Sequence, residues 1–181
     1  MLGVPPSNIL PELVKAVAVS KPNRDTWLVE ELLDALIVGD EGVEITRTRF
    51  PGVLLVLSRK LDPVTVSKLS RRTEFSFMSR LVPAILTIKV ESVGELLGAL
   101  EEVLRGRPVG ELDVWVTIRG EGRNVVSESY VKNMVSTMNY RLRRGAGRVL
   151  AVESVDKLFV VAVGIMRSCG LNCRLLVVDQ V

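Results

Sequence analysis

The strongest constraint on the fold is the regular alternation of short apolar stretches with amphipathic ones along the first half of the chain. Residues 13–19 are predicted to form a strand, because they are apolar and are followed by a proline and an asparagine. Residues 25–38 are predicted to form a helix, because leucines recur at every fourth position while acidic residues lie off that stripe. Gly39 is a typical helix end.

A hairpin, a second helix and a fourth strand complete this half. Residues 43–49 and 53–58 are predicted as two strands joined by a turn at Pro51-Gly52. A helix is predicted at residues 62–72, with an aspartate as its N-cap and a proline at its first position. Residues 75–81 alternate apolar and polar side chains like a strand. The resulting order, βαββαβ, is that of the ferredoxin-like fold.

The second half contains the same kinds of element in another order. An extended segment at residues 84–90 precedes a helix that begins with a capping box at Ser92. A strand at residues 112–118 precedes a long helix at residues 127–144. Three closing strands are predicted at residues 149–152, 158–166 and 174–178.

We therefore expect an α/β (α+β) protein with two domains, a ferredoxin-like one at residues 1–78 and a second at residues 79–181. The chain has 181 residues, of which 48% are hydrophobic, and this is enough to bury a core in each. No apolar run approaches the roughly 20 residues of a membrane-spanning helix, so we expect no membrane partner and a cytoplasmic location. A single glutamine, Gln180, among many charged residues favours a thermophilic source.

Positive charge is concentrated in two segments. The N-terminal basic segment, residues 47–72, has seven basic residues against one acidic residue. The C-terminal basic segment, residues 119–148, has seven against two. Clustered arginines are typical of phosphate binding, because the planar guanidinium group pairs with two phosphate oxygens at once. The candidate binding residues are Arg119, Arg123, Lys132, Arg141, Arg143, Arg144 and Arg148, together with Arg59 and Lys60.

These charges could also be present without any ligand. Arginines at the end of a helix interact favourably with the helix dipole, and this would account for Arg141, Arg143 and Arg144. A run of charges is also commonly a solvated face. The sequence alone leaves both possibilities open beside phosphate binding.

Several classes of enzyme are excluded by what the chain lacks. It has no histidine, so Ser-His and Cys-His catalytic pairs and histidine-bound zinc cannot form. Gly120-Glu121-Gly122 has no third glycine at the spacing of a dinucleotide-binding loop. We expect no catalytic residue, no metal and no cofactor.

The segments of the second half follow a distinctive order: Ser79-Arg80-Leu81-Val82-Pro83, the capped helix from Ser92, Val114-Trp115-Val116-Thr117-Ile118-Arg119-Gly120, the helix from Ser127 and the strand at residues 158–163. In these residues and in this order, roughly residues 76–180 resemble the THUMP domain, an RNA-binding module of tRNA-modifying proteins. One departure lies at Val155-Asp156, where the family often has Pro-Asp.

The resemblance implies a tRNA-binding protein in which a ferredoxin-like domain precedes the THUMP domain. Enzymes of this kind carry a separate catalytic domain, for which the 181 residues leave no room. We therefore expect an adaptor that presents tRNA to a separate modifying enzyme, such as a cytidine acetyltransferase, and we expect no DNA partner. The alternative is a ferredoxin-like regulatory module that binds a small metabolite or pairs with a copy of itself.

The two cysteines, Cys169 and Cys173, are separated by three residues. They could close a hairpin loop with a disulfide, or they could be two small apolar side chains near the core. A pair of cysteines without further ligands does not make a zinc site.

Overall fold

The computed structural model describes residues 8–178. Gln180, the first seven residues of the predicted N-terminal domain and the last three of the predicted C-terminal domain lie outside the described residues. The first half contains β1 (Val14–Ser20), α1 (Asp25–Leu36), β2 (Glu44–Arg47), β3 (Val53–Leu57), α2 (Pro63–Ser70) and β4 (Met78–Pro83). The second half contains β5 (Leu86–Lys89), α3 (Val93–Leu104), β6 (Glu111–Thr117), α4 (Glu128–Thr137), β7 (Arg141–Leu142), β8 (Val149–Val155), β9 (Leu158–Ser168) and β10 (Arg174–Val178).

These strands form a mixed sheet in the order β2-β3-β1-β4-β10-β9-β8-β6-β7, and β5 pairs with β9 beside this path. The predicted α/β class is therefore confirmed. The sheet passes from the first half to the second through parallel pairing of β4 with β10, in which Arg80 lies opposite Arg174. The division into two domains stays a prediction, and the two halves share one sheet.

Local signals in the sequence account for the starts of α2 and α3. The Asp62 carboxylate accepts a hydrogen bond from Thr65 N at 2.8 Å, as an N-cap does. Ser92 and Glu95 make both bonds of a capping box at the start of α3. Each satisfies backbone N–H groups that a helix leaves without partners.

The sheet has a helix-covered face and a helix-free face. In β1, Ala16 and Ala18 pack against α1 and α2, whereas Val17 points to the other side. The helices α3 and α4 cover the second half in the same way. Val17 shares a buried apolar cluster with Ala151 of β8 and Val160 of β9. The sheet is therefore curved so that the helix-free faces of its two halves pack together.

The long helix predicted at residues 127–144 is wrong beyond Thr137, where α4 ends. Asn139 has a φ of 65°, a left-handed conformation that stops a helix. Tyr140 then turns inward, is buried, and places its hydroxyl 3.5 Å from Leu104 O. The chain continues as β7, which pairs in parallel with β6.

Candidate nucleic-acid interface

A cleft of about 760 Å³ runs along β6 and the segment that follows β7. Its walls come from β4, β6, α4, residues 142–145 and the start of β10. Five basic residues line it: Arg80, Lys132, Arg143, Arg144 and Arg174. The one acidic residue of its lining is Asp113, whose carboxylate accepts a hydrogen bond from Gly145 N at 2.8 Å. The cleft therefore carries a surplus of positive charge.

The basic residues of this cleft differ in how they are paired. Arg143 Nη1 lies 2.6 Å from Glu111 Oε2, and the neighbouring Arg141 lies 4.0 Å from the same carboxylate. Lys132 and Arg144 are exposed and make no ion pair or hydrogen bond within residues 8–178. These two cations are the ones most available to an anionic ligand.

Trp115 and Arg174 form a flat surface at one side of the cleft. The guanidinium carbon of Arg174 lies 5.2 Å from the centre of the Trp115 ring, which is a cation–π contact. Both residues also line an adjacent cleft of about 480 Å³, together with Arg167 and Asn172. A half-buried indole beside guanidinium groups is an arrangement on which nucleic-acid bases stack.

Arg119 and Arg123, at the start of the C-terminal basic segment, are engaged by the protein itself. Arg119 Nη1 lies 2.7 Å from Glu153 Oε2, and its side chain is 14% exposed. Arg123 Nε donates to Ile118 O at 2.9 Å. Neither lines the cleft, and their predicted role in binding stays a prediction.

The three remaining candidates also lie outside the cleft. Arg148 Nη1 is 3.4 Å from Pro108 O, next to a separate groove. Arg59 is exposed, and Lys60 lies 3.9 Å from the buried carboxylate of Asp40. The structure thus brings three predicted residues, Lys132, Arg143 and Arg144, into one cleft.

The helix-dipole interpretation of Arg141, Arg143 and Arg144 is wrong, because α4 ends at Thr137 and these arginines lie in β7 and the turn after it.

Sequence reasoning missed Arg80, Trp115 and Arg174. Asp113, Trp115 and Thr117 occupy every second position of β6, which places them on one face of the strand. No local pattern indicates which other strands contribute residues to that face.

Gly120 and Gly122 let the loop after β6 pack closely against the turn between β8 and β9. A Cβ atom at Gly122 would lie 2.6 Å from Asp156 O in the β8–β9 turn. Asp156 also accepts a hydrogen bond from Glu121 N at 3.2 Å and pairs with Arg49, and this pairing raises the pKa of the Arg49 guanidinium. The glycines allow the loop to lie against this turn and so hold the end of β6.

Cys169 and Cys173 are joined by a disulfide in the turn between β9 and β10. Both are buried, and Phe75 N donates to Cys169 O at 3.0 Å. Of the two arrangements that the sequence left open, the structure has the bridged one. Within residues 8–178, no group of three cysteine, aspartate or glutamate side chains could hold a metal ion, and no helix is long and apolar enough to cross a bilayer.

No family model matches the sequence, and no curated protein matches it. Among the solved structures that match this chain are the following three. TrmN from Thermus thermophilus has 19% sequence identity over 82% of this chain and 44% of its own, with a TM-score of 0.55. A 4-thiouridine synthetase in complex with RNA and ATP has 11% identity over 83% and 41%, with a TM-score of 0.45.

The third structure is SMU.472, a putative methyltransferase complexed with SAH, with 12% identity over 82% of this chain and 41% of its own and a TM-score of 0.42. The chain thus spans less than half the length of each of these structures. At 19% identity, the match to TrmN shows only that this chain and the matching part of TrmN share a fold.

Proposed function

We propose that this protein binds structured RNA, and tRNA in particular, in the cleft along β6. The observation that carries the proposal is the presence of two cations, Lys132 and Arg144, that have no partner among the described residues and lie beside the Trp115–Arg174 pair. Cations without protein partners can neutralise phosphates at no cost in broken ion pairs, and the flat pair can accept a base. The fold shared with TrmN supports the THUMP-like fold that the sequence resemblance implied.

We further propose that the protein is an adaptor in the cytoplasm, which presents tRNA to a separate modifying enzyme such as a cytidine acetyltransferase and has no catalytic activity of its own. This proposal rests on the THUMP resemblance and on the absence of histidine from the sequence. Low aromatic content, 4%, favours recognition of RNA backbone and shape over extensive base stacking.

The RNA-binding proposal is tested by titrating folded tRNA and duplex DNA of similar length over a range of salt concentrations. We expect log affinity for tRNA to fall linearly with log salt, with a slope of about 0.9 for each phosphate neutralised. We also expect weaker binding to DNA, because DNA lacks the 2′-hydroxyls and A-form shape of tRNA. Equal affinities would reduce the interaction to a general attraction for polyanions. Undetectable tRNA binding at low salt would reject the proposal and favour the metabolite-binding module.

The adaptor role is tested by reconstitution. Incubated with tRNA and a small-molecule acetyl donor, the protein alone should leave the tRNA unmodified; added to an acetyltransferase, it should raise the yield of modified tRNA. Modification by the protein alone would overturn the adaptor role, and so would an acetyltransferase whose yield it does not change. Both assays use mass spectrometry of the digested RNA.

A further inference from the structure

A buried glutamate lies behind the cleft and holds two arginines. Glu153 is in β8, and its side chain is 3% exposed. Its Oε1 lies 2.7 Å from Arg80 Nη2, and its Oε2 lies 2.7 Å from Arg119 Nη1. The three residues come from separate strands and their ends: β4, the end of β6, and β8. A carboxylate this buried is stable as an anion only when it is paired.

The charges of this group do not cancel. Two guanidinium groups share one carboxylate, so a net positive charge stays in a largely desolvated position. A single Arg–Glu pair would be neutral and would offer little to an anion. The second arginine is therefore the feature that makes this group attractive to a phosphate.

The two arginines are unequally satisfied. Arg119 also donates to Ser154 O at 3.4 Å and is 14% exposed. Arg80 is 24% exposed, its Nη2 reaches Thr117 Oγ1 only at 3.5 Å, and its buried Nε has no hydrogen-bond partner among the described residues. Arg80 is also the member that lines the cleft, along with Trp115 and Arg174. Surplus charge and an unsatisfied donor thus coincide at Arg80.

We propose that Arg80 forms an anion site in the wall of the cleft that takes one phosphate group, and that Glu153 is the positioning residue that holds Arg80 for it. The identification of this phosphate with one in an RNA backbone rests on the proposed function. Glu153 fixes the guanidinium in advance, so binding does not have to immobilise a free arginine side chain. Arg119 neutralises the negative charge of Glu153, so the positive charge of Arg80 is left over for an anion.

Arg80→Gln and Arg119→Gln are a matched pair, because each leaves Glu153 with one arginine and neither leaves a buried carboxylate alone. We expect Arg80→Gln to weaken tRNA binding about tenfold and to lower the salt slope by about 0.9, the value for one phosphate contact. Arg119→Gln leaves a neutral Arg80–Glu153 pair but keeps Arg80 in the cleft wall, so it should lower the midpoint of thermal unfolding and reduce affinity and slope less than Arg80→Gln does. A wild-type slope in Arg80→Gln, or a loss of slope in Arg119→Gln larger than that in Arg80→Gln, would overturn the site.

Glu153→Gln tests whether the glutamate acts through Arg80. In the otherwise wild-type protein, this variant should weaken tRNA binding, because Arg80 loses its fixed position. In the Arg80→Gln background it should cause no further loss of affinity, whatever its effect on the thermal midpoint. Additive losses of affinity would mean that Glu153 acts through the fold alone and would remove its positioning role.

Inorganic phosphate separates the anion site from the RNA proposal. In ¹⁵N-arginine-labelled protein, added phosphate should shift the Arg80 Nε–H resonance, assigned by its absence in Arg80→Gln, and leave that of Arg119 in place. A shift with phosphate in a protein that does not bind tRNA would keep the site for a free phosphate compound and reject the proposed function. Binding of tRNA without any change at the Arg80 resonance would reject the site and keep the function.

Discussion

The two basic segments have nearly equal surpluses of positive charge, yet their residues have different surroundings. In the N-terminal basic segment, Arg47 Nη2 donates to Thr26 Oγ1 at 2.9 Å, Arg49 pairs with Asp156, and Lys60 lies near Asp40. In the C-terminal basic segment, Lys132, Arg143 and Arg144 converge on one cleft. The first segment has no residue in that cleft.

The difference shows why counting charges along a sequence overestimates a binding surface. Within residues 47–72 the one acidic residue is Asp62, but the acidic partners Asp40 and Asp156 come from elsewhere in the chain. The same applies to Arg119, whose partner is the distant Glu153. A distant carboxylate therefore reduces what an arginine offers to RNA, unless it is shared by two arginines, as Glu153 is by Arg80 and Arg119.

The largest expected effect comes from removing two charges from each segment. The double variant Lys132→Gln, Arg144→Gln should weaken tRNA binding by about one to two orders of magnitude at low salt and lower the salt slope by nearly two. The matched control, Arg59→Gln with Lys60→Gln, removes the same charge and should change affinity by no more than about twofold, since only long-range attraction is lost. Both are measured by titration with the same tRNA.

Equal losses in the two double variants would break the comparison, because binding would then follow net charge and not the cleft. A larger loss in the control would place the RNA on the N-terminal half. It would also support the sequence-based prediction that Arg59 and Lys60 bind it.

A smaller effect is expected from the flat surface of the cleft. Trp115→Leu keeps an apolar side chain but removes the ring beneath Arg174. Loss of one stacked base costs about 1 kcal/mol or somewhat more, so affinity should fall by roughly five- to tenfold. The salt slope should not change, because no charge is removed. A change in slope with little loss of affinity would mean that Trp115 only orients Arg174.

Much of the fold followed from the sequence because its signals are local. The cap at Asp62 and the capping box at Ser92 are hydrogen bonds between residues three apart, and both are present. The predicted helix at residues 127–144 was too long because a local pattern was misleading. The apolar spacing of Val131, Val135 and Met138 continues to Leu142. That leucine lies in β7 and is 37% exposed, since the left-handed Asn139 has already ended the helix.

The site was predicted less completely because its walls are distant in sequence. Lys132 and Arg144 were found from their place in a basic run. Arg80 and Arg174 became neighbours only through the parallel pairing of β4 with β10, which no local pattern specifies. Trp115 faces Arg174 because of the strand order across β8, β9 and β10, a property of the whole sheet.

The smallest expected effect concerns the acidic partner of Lys60. Asp40 is buried, and its pKa lies below the ordinary value of 3.8, chiefly because the Ser58 hydroxyl donates to it at 2.5 Å and secondly because Gly42 N does so at 2.9 Å. Lys60, at 3.9 Å, is a minor cause. A lowered folded-state pKa means that the unfolded chain takes up the proton first as pH falls. The stabilisation is therefore present above the ordinary pKa and is lost as pH falls through the folded one.

Ser58→Ala removes the main cause of this shift, so the free energy of unfolding of the variant should depend less on pH than that of the wild type. The difference between the two should be largest near neutral pH and should shrink as pH falls below about 4. A part that does not depend on pH will remain, since Ser58 Oγ also accepts hydrogen bonds from Lys60 N and Leu61 N. Ser70→Ala is the control, because its buried hydroxyl has no partner among the described residues and its loss should shift the curve without changing its shape. Urea unfolding from about pH 6 to about pH 3 decides the matter: parallel curves for wild type and Ser58→Ala would show that the Ser58 hydroxyl does not lower the pKa of Asp40. For Lys60, the contrast between the two segments would then rest on its 3.9 Å distance from Asp40 alone.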